Sequence, residues 1–367
     1  MMDLSKVMIV LPSLDPDEKL QTVIDGLIQV GFSRIILVND GSKEENLHYF
    51  HTAAMASQVT LLHHPKNLGK GAALKTAFRY IIENHPECTG VVTVDGDGQH
   101  HPEDTLACAQ KMLESGHLTL GVRDFNQHDI PARSRFGNKT TCAIFKFFVG
   151  LTITDTQTGL RGIPAHLLPQ MLAIFGDRFE YETNMLLALK EQSIPFEEVK
   201  IRTVYIEENK SSHFRVIRDS WKIYKLILAH FFRYTAVSLL SALVDEGMYI
   251  LLSLLLKPLA SGFILVASAT AGARITSSLM NFFLNRKVVF HSDDSLGKTL
   301  LRYYALAVPI ALSQMLLTHG INTLFGIDES LVGLRAVIYA LVMTVLYLVS
   351  FLVQQRWVFS KKQRNTP

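Results

Sequence analysis

A chain of 367 residues, 48% of them hydrophobic and 19% charged, with a mean hydropathy of +0.20, has room for two modules and is too apolar to be wholly soluble. Glycine and proline, at 22 and 12, are ordinary and exclude a fibrous or disordered chain. The net charge of +3 gives no global support for nucleic-acid binding, but it is unevenly spread: 24 Lys+Arg against 27 Asp+Glu through residue 228, net −3, and 12 against 6 beyond it, net +6.

An acidic first part and a basic, apolar second part predict a soluble domain followed by a membrane domain. Cys88, Cys108 and Cys142 have no metal-ligand spacing, which argues against a structural zinc site or a disulfide scaffold and for a reducing compartment. The run Val7 to Leu11 is too short for a secretory leader, so the first domain is expected on the cytosolic side.

In chain order, Val7 to Leu11 reads as a buried parallel strand that Pro12 stops. Leu20, Val23, Ile24, Leu27 and Ile28 give helical spacing over 17–30. Strands follow at Arg34 to Val38, Val59 to Leu62 and Val91 to Val94, with a helix from Gly69 to Ile82 between the last two. Strands alternating with helices predict an α/β domain with a mostly parallel sheet. The polar clusters after Leu11, Val38 and Val94 then fall on the edge where such sheets bind ligands.

From residue 229 the pattern changes. Stretches 234–256, 259–284, 303–325 and 336–353 are each long enough, or nearly so, to cross a hydrocarbon core of about 30 Å. Arg233-Tyr234 recurs as Arg302-Tyr303 and Val289-Phe290 as Val358-Phe359, each 69 residues later, so two similar helical hairpins are expected. Arg286, Lys287, Lys298 and Arg302 lie between spans two and three, and Arg356, Lys361, Lys362 and Arg364 follow span four. The opposite connections hold only Lys257 and Arg335, so both termini are expected in the cytosol. Residues 215–228 alternate apolar and basic positions and read as an amphipathic interfacial helix. Asp245 and Glu246 in span one and Arg274 in span two are costly in lipid, and an Asp245–Arg274 pair is the simplest expectation.

Asp95-Gly96-Asp97, at the end of an apolar strand, places two carboxylates where they can hold a hard divalent cation, with Gln99 as an added ligand or an orienting group. Such a pair alone is a weak signal, because acidic turns are common. Here it follows Leu11-Pro12, Val38-Asn39-Asp40-Gly41-Ser42 and Asn67-Leu68-Gly69-Lys70-Gly71 in order, and precedes Gly121-Val-Arg123-Asp124, Arg133-Ser-Arg135, Asp155-Thr-Gln-Thr-Gly159-Leu-Arg161, Phe179-Glu180-Tyr181-Glu182 and Asn209-Lys210-Ser211-Ser212.

This set resembles family 2 glycosyltransferases of the GT-A fold, and more closely the dolichyl- or polyprenyl-phosphate hexosyltransferases. Asn281-Phe-Phe-Leu-Asn285-Arg286-Lys287-Val-Val289-Phe290 is similar to the GtrA-like four-helix membrane family. The resemblance implies a GT-A domain over 1–214, a juxtamembrane helix over 215–228, a four-helix membrane domain over 229–360 and a basic tail over 361–367. It implies Mg²⁺ or Mn²⁺ on Asp95 and Asp97 with Gln99, and a nucleotide diphosphate sugar at Pro12, Leu14, Asp15, Asp40, Lys70, Gly71, Asp95, Gly96 and Asp97. A polyprenyl phosphate acceptor would meet Arg123, Arg133, Arg135, Lys210 and Ser211. Asp95, Asp97 and Arg123 would carry the chemistry, with inversion at the anomeric carbon. Asp155 and Arg161 would shape the acceptor edge, and at least one of Glu180 and Glu182 would be structural.

Two features depart from the family: Asp15-Pro16 stand where Asn-Glu is usual, and the arginine-serine pattern after residue 130 is offset, so Arg133 and Arg135 have no one-to-one match; the same holds for Lys210, which stands near an expected arginine. Two other readings of the chain are a transporter of the lipid-linked sugar and a processive synthase, the latter echoed by Gln354-Gln-Arg-Trp357. The sugar, the lipid length and the oligomeric state, a homo-oligomer included, stay open.

Overall fold

The computed structural model describes residues 3–127, 130–202, 216–292, 294–328 and 330–359. The chain divides into two compact units, Met1–Leu226 and Ile227–Pro367.

In the first unit the strands are β1 (Val7–Ser13), β2 (Ile35–Asn39), β3 (Val59–His63), β4 (Gly90–Thr93), β5 (Leu118–Arg123), β6 (Arg161–Pro164) and β7 (Phe196–Ile201). Between them run α1 (Lys19–Gln29), α2 (Leu47–Ala53), α3 (Lys70–Asn84), α4 (Pro102–Ser115), α5 (Ala132–Ile144), α6 (Leu168–Ala173) and α7 (Glu180–Glu191). Among the described residues the seven strands form one sheet in the order β3-β2-β1-β4-β6-β5-β7, with β6 alone antiparallel to its neighbours. The continuous apolar run of β1 has a direct cause: both faces are covered. Val7, Ile9 and Leu11 pack with Leu20, Ile24, Phe50 and Met112, while Met8 and Val10 are equally buried on the other face.

Pro12 does not stop β1, which continues to Ser13 in register with β2. Val10 accepts the Val94 N–H on the β4 side, so Pro12, two residues on, faces that side beyond the last β4 pair at Val10–Thr93. A residue without an N–H loses no ladder bond there.

The second unit contains, among the described residues, four helices long and apolar enough to cross a membrane. They belong to α8 (Val216–Leu256), α9 (Gly262–Leu284), α10 (Leu296–Leu324) and α11 (Val332–Val353). Two boundaries differ from expectation. The basic amphipathic stretch is not a separate element, because α8 runs from Val216 into the first span without a break. The third helix starts at Leu296, so Lys298 and Arg302 lie inside it. The tail after Phe359 lies outside the described residues.

The 69-residue repeat is structural. π-Helical turns at Asn285–Val289 and Gln354–Val358 occupy matching positions. Tyr303 in α10 donates to Asn281 Oδ1 in α9 at 3.0 Å, and its counterpart Tyr234 in α8 donates to Ser350 Oγ in α11 at 3.3 Å. The first helix of each hairpin thus bonds the second helix of the other, as a two-fold relation between duplicated hairpins requires. Residues that meet their own counterparts mark the axis: Asn285 Nδ2 donates to Gln354 Oε1 at 3.3 Å, and the rings of Phe290 and Phe359 stack with centroids 5.2 Å apart. Gln354 also donates to Tyr234 OH at 3.1 Å, so the first residue of the synthase-like echo is buried in helix packing, while Arg356 and Trp357 are exposed. Arg274 Nη1 lies 3.3 Å from Asp245 Oδ2, and Ser277 Oγ donates to Asp245 Oδ1 at 2.8 Å, which is the expected intramembrane pair.

Candidate active site

The topology brings distant segments to one edge. The carboxyl ends of β1, β2, β4 and β5 share it, and because β6 is antiparallel its first residue does too: Arg161 is in register with both Thr93 and Leu120. The chain order reverses between β1 and β4, where a crevice opens in such sheets. Asp95 and Asp97 follow β4 at that point.

The acidic pair is not bare. Lys70 Nζ lies 2.7 Å from Asp95 Oδ1 and 3.0 Å from Glu182 Oε1, and His100 Nε2 lies 3.5 Å from Asp95 Oδ2. Burial opposes the charge of Asp95, but Lys70 and His100 outweigh it and hold the carboxyl well below the usual range. Burial likewise opposes the Lys70 ammonium, yet Asp95 and Glu182 hold it above the usual lysine range. Asp97 goes the other way: burial and the neighbouring Asp95 push its carboxyl up, against one bond from the Gln99 N–H at 3.0 Å. A divalent cation would relieve that crowding. Two carboxylates offer hard oxygen ligands for Mg²⁺ or Mn²⁺, which take the rest of their shell from water and phosphate, so the residues fit such an ion.

Gly159 closes the other side of Asp95. A Cβ at this position would lie 2.3 Å from Asp95 Oδ2 and 3.1 Å from Lys70 Nζ. Gly159→Ala is therefore expected to displace the Asp95 carboxylate and lower turnover about 100-fold, the cost of a misplacement of this order. Turnover and thermal unfolding, measured together, check this; wild-type turnover would show that the carboxylate need not stay in place.

Lys70 owes its position to Asp40. Asp40 is 3% exposed; its Oδ1 accepts the Leu68 N–H at 2.9 Å and its Oδ2 the Gly69 N–H at 2.8 Å. His64 Nδ1 lies 2.7 Å from the same carboxylate, and its Nε2 lies 2.9 Å from Thr76 Oγ1. Asp40 thus faces inward and fixes the start of α3, rather than presenting its oxygens to a base or ribose. At Gly71 a Cβ would lie 2.5 Å from Tyr181 Cβ, so this glycine serves the close packing of α3 on α7. Asp15, at φ 48°, accepts the Lys43 N–H at 2.8 Å and Asn46 Nδ2 at 3.1 Å, tying the loop after β1 to the loop after β2. Pro12 is buried in β1, Leu14 is half-buried just beyond it, and Gly96 sits between the two carboxylates.

At the end of β5, Arg123 is held by the fully buried Asp155: Nε donates to Oδ2 at 2.7 Å and Nη2 to Oδ1 at 3.1 Å. Arg135 is turned to its own loop, donating to Gln127 O at 2.8 Å and Ile130 O at 3.4 Å, which departs from its expected part in holding the acceptor phosphate. Arg133 belongs to α5, and nothing further is described of its side chain. Lys210 and Ser211 lie outside the described residues. Arg161 is buried and donates to Thr158 O and Glu182 O, at 3.2 and 2.9 Å.

Sequence reasoning missed Glu182 as a member of the acidic cluster. Its signal was the Phe179-Glu-Tyr-Glu motif, but only the packing of α7 on α3 brings Glu182 rather than Glu180 to Lys70.

A mostly parallel α/β sheet of the GT-A type, an acidic pair at its ligand edge and four apolar helices define a membrane-associated glycosyltransferase. Residues 8–170 match glycosyl transferase family 2, and residues 233–359 match the GtrA/DPMS transmembrane domain. The chain thus carries a glycosyl transferase family 2 domain followed by a GtrA/DPMS transmembrane domain. It is 26% identical to an uncharacterized protein of Methanocaldococcus jannaschii, over 62% of this chain and 93% of that one. It is 24% identical to the UDP-N-acetylglucosamine–dolichyl-phosphate N-acetylglucosaminyltransferase of Methanococcus voltae, over 60% of this chain and 95% of that one. Among solved structures, mannosyl-3-phosphoglycerate synthase from Rubrobacter xylanophilus shares the fold at TM-score 0.50, with 15% identity over 63% of this chain and 75% of that one.

Proposed function

We propose that the protein transfers a hexose from a nucleotide diphosphate sugar, of the UDP-glucose or GDP-mannose type or an N-acetylhexosamine equivalent, to a polyprenyl phosphate such as undecaprenyl or dolichyl phosphate. The product is a lipid-linked sugar for glycan or polysaccharide assembly. The observation that carries this is the Asp95–Asp97 pair at the β1–β4 crevice, joined in one chain to a GtrA/DPMS-type membrane domain. The donor and acceptor named for the Methanococcus voltae relative are of these two classes.

The reaction needs no dedicated base, because a phosphate monoester with a second pKa near about 6 is already a nucleophilic dianion at neutral pH. Asp95 and Asp97, with Gln99 beside them, would hold Mg²⁺ or Mn²⁺, which when bound would stabilise the charge on the departing nucleoside diphosphate. Asp40 holds the loop that presents Lys70 to the same region. Arg123, its fork fixed by Asp155, meets the acceptor phosphate, and attack from that side inverts the anomeric centre. The positive-inside pattern supports a cytosolic side for both termini, the side from which the catalytic domain would meet the lipid phosphate.

Arg123→Lys keeps a charge beside Asp155 but loses the planar fork. It is expected to raise KM for the lipid phosphate about tenfold or more, the worth of one charge-assisted hydrogen bond, with KM for the sugar nucleotide nearly unchanged. The reverse pattern would move Arg123 to the donor side. The test of the function itself uses full-length protein in detergent with Mn²⁺ or Mg²⁺, undecaprenyl phosphate and a panel of radiolabelled UDP- and GDP-sugars, with and without EDTA. Counts in the organic phase from one donor, lost with EDTA, are the expected result. No counts from any donor, with the protein folded, would shift the reading to transport.

A further inference from the structure

The acidic pair already has a cation. Lys70 Nζ sits between Asp95 and Glu182, at 2.7 and 3.0 Å, and all three side chains are largely shielded, at 18%, 28% and 17% exposure. The space around them is small, since Gly159 leaves no room for even a methyl group beside Asp95 Oδ2 and Lys70 Nζ. A divalent ion on Asp95 would stand within a few ångströms of the ammonium, and two cations at that separation in a shielded site repel strongly. The backbone of Lys70 cannot retreat, because Asp40 pins the two preceding residues, Leu68 and Gly69. Only the side chain can shift, and Glu182, 3.0 Å from Nζ, can keep its charge paired when it does.

We propose that Lys70 is a resident counter-ion, occupying the cation seat on Asp95 until metal and nucleoside diphosphate arrive together, and that Glu182 retains it when they do. This rests on the reading of Asp95 and Asp97 as metal carboxylates. The consequence is coupling. The metal alone meets an Asp95 already paired with an ammonium, whereas a diphosphate brings the negative charge that lets both cations stay. Each ligand then strengthens the other by the same factor.

The test is Mn²⁺ binding to the full-length protein in detergent, followed by the electron paramagnetic resonance of free Mn²⁺, with and without UDP. Wild type is expected to bind Mn²⁺ weakly alone and about tenfold or more tightly with UDP. Lys70→Met should bind Mn²⁺ alone about tenfold more tightly than wild type, and UDP should then add much less. Glu182→Gln should bind it more weakly, since Lys70 is left to Asp95. The double variant Lys70→Met/Glu182→Gln, which leaves no Glu182 carboxylate stranded and so guards against misfolding of the single variant, should bind Mn²⁺ alone more tightly than wild type. If neither Lys70 variant binds Mn²⁺ alone more tightly than wild type, the counter-ion role is overturned; unchanged binding by Glu182→Gln removes Glu182 from it. Asp97→Ala separates the two levels. Loss of Mn²⁺ binding there, with no gain in the Lys70 variants, overturns this inference alone; wild-type binding by Asp97→Ala overturns the metal reading and the inference with it.

Discussion

Asp97→Ala is expected to lower sugar transfer at least about a thousandfold while leaving the chain folded and in the membrane. The size follows from what Asp97 lacks. Asp95 is balanced by Lys70 and His100, whereas Asp97 carries a crowded charge whose carboxyl burial and Asp95 push upward. A carboxylate kept in that condition contributes little to folding, so its removal should not lower the melting temperature and could raise it slightly. In the proposed reaction it is the second ligand for the divalent ion. Asp95→Ala would be a poorer experiment, because it would strand the Lys70 ammonium against Glu182 alone and confound stability with catalysis. Transfer of label to lipid, read beside a thermal unfolding curve, decides the matter; normal turnover by Asp97→Ala would remove the metal assignment.

The strands and the acidic pair were legible because they depend on local pattern. Apolar runs such as Val7 to Leu11 and Ile35 to Val38 can only be strands buried on both faces, and the carboxylates that end β4 announce themselves. Orientation was less legible. Asp40 and Asp97 both follow apolar strands in glycine-rich turns, yet one faces inward to cap a loop and the other faces the crevice. Only the path of residues 66–69 decides this, and no periodicity encodes it. Pairing at a distance was also hidden: Lys70 meets Glu182 across 112 positions, through α7 packing on α3 at Gly71. In the membrane unit the duplication could be read from Arg-Tyr and Val-Phe, but the start of α10 could not. Lys298 and Arg302 mark where an apolar stretch ends, which is not where a helix must end, since a helix satisfies its own backbone in water as in lipid.

The second large effect is expected at Asp155. Its side chain is fully buried and accepts four bonds: Arg123 Nε, Nη2 and N–H, and the Gln157 N–H at 3.0 Å. Asp155→Ala leaves a guanidinium of 20% exposure without its carboxylate, and breaking a buried pair in this way costs about 3–5 kcal/mol. For a unit of this size that corresponds to a fall in melting temperature of roughly 6–20 °C, readable on the full-length protein in detergent. A loss under about 1 kcal/mol would mean the pair does not hold this edge. The same pair allows stability and function to be separated. Replacing both partners, as Arg123→Met with Asp155→Leu, removes the unpaired charge and should recover most of the lost stability, because well-packed apolar residues often replace a buried ion pair at little cost. Turnover should not recover, since the guanidinium proposed to meet the acceptor phosphate is gone. Recovery of both would show that the two residues matter only to each other, and the acceptor phosphate would have to be met elsewhere on the edge.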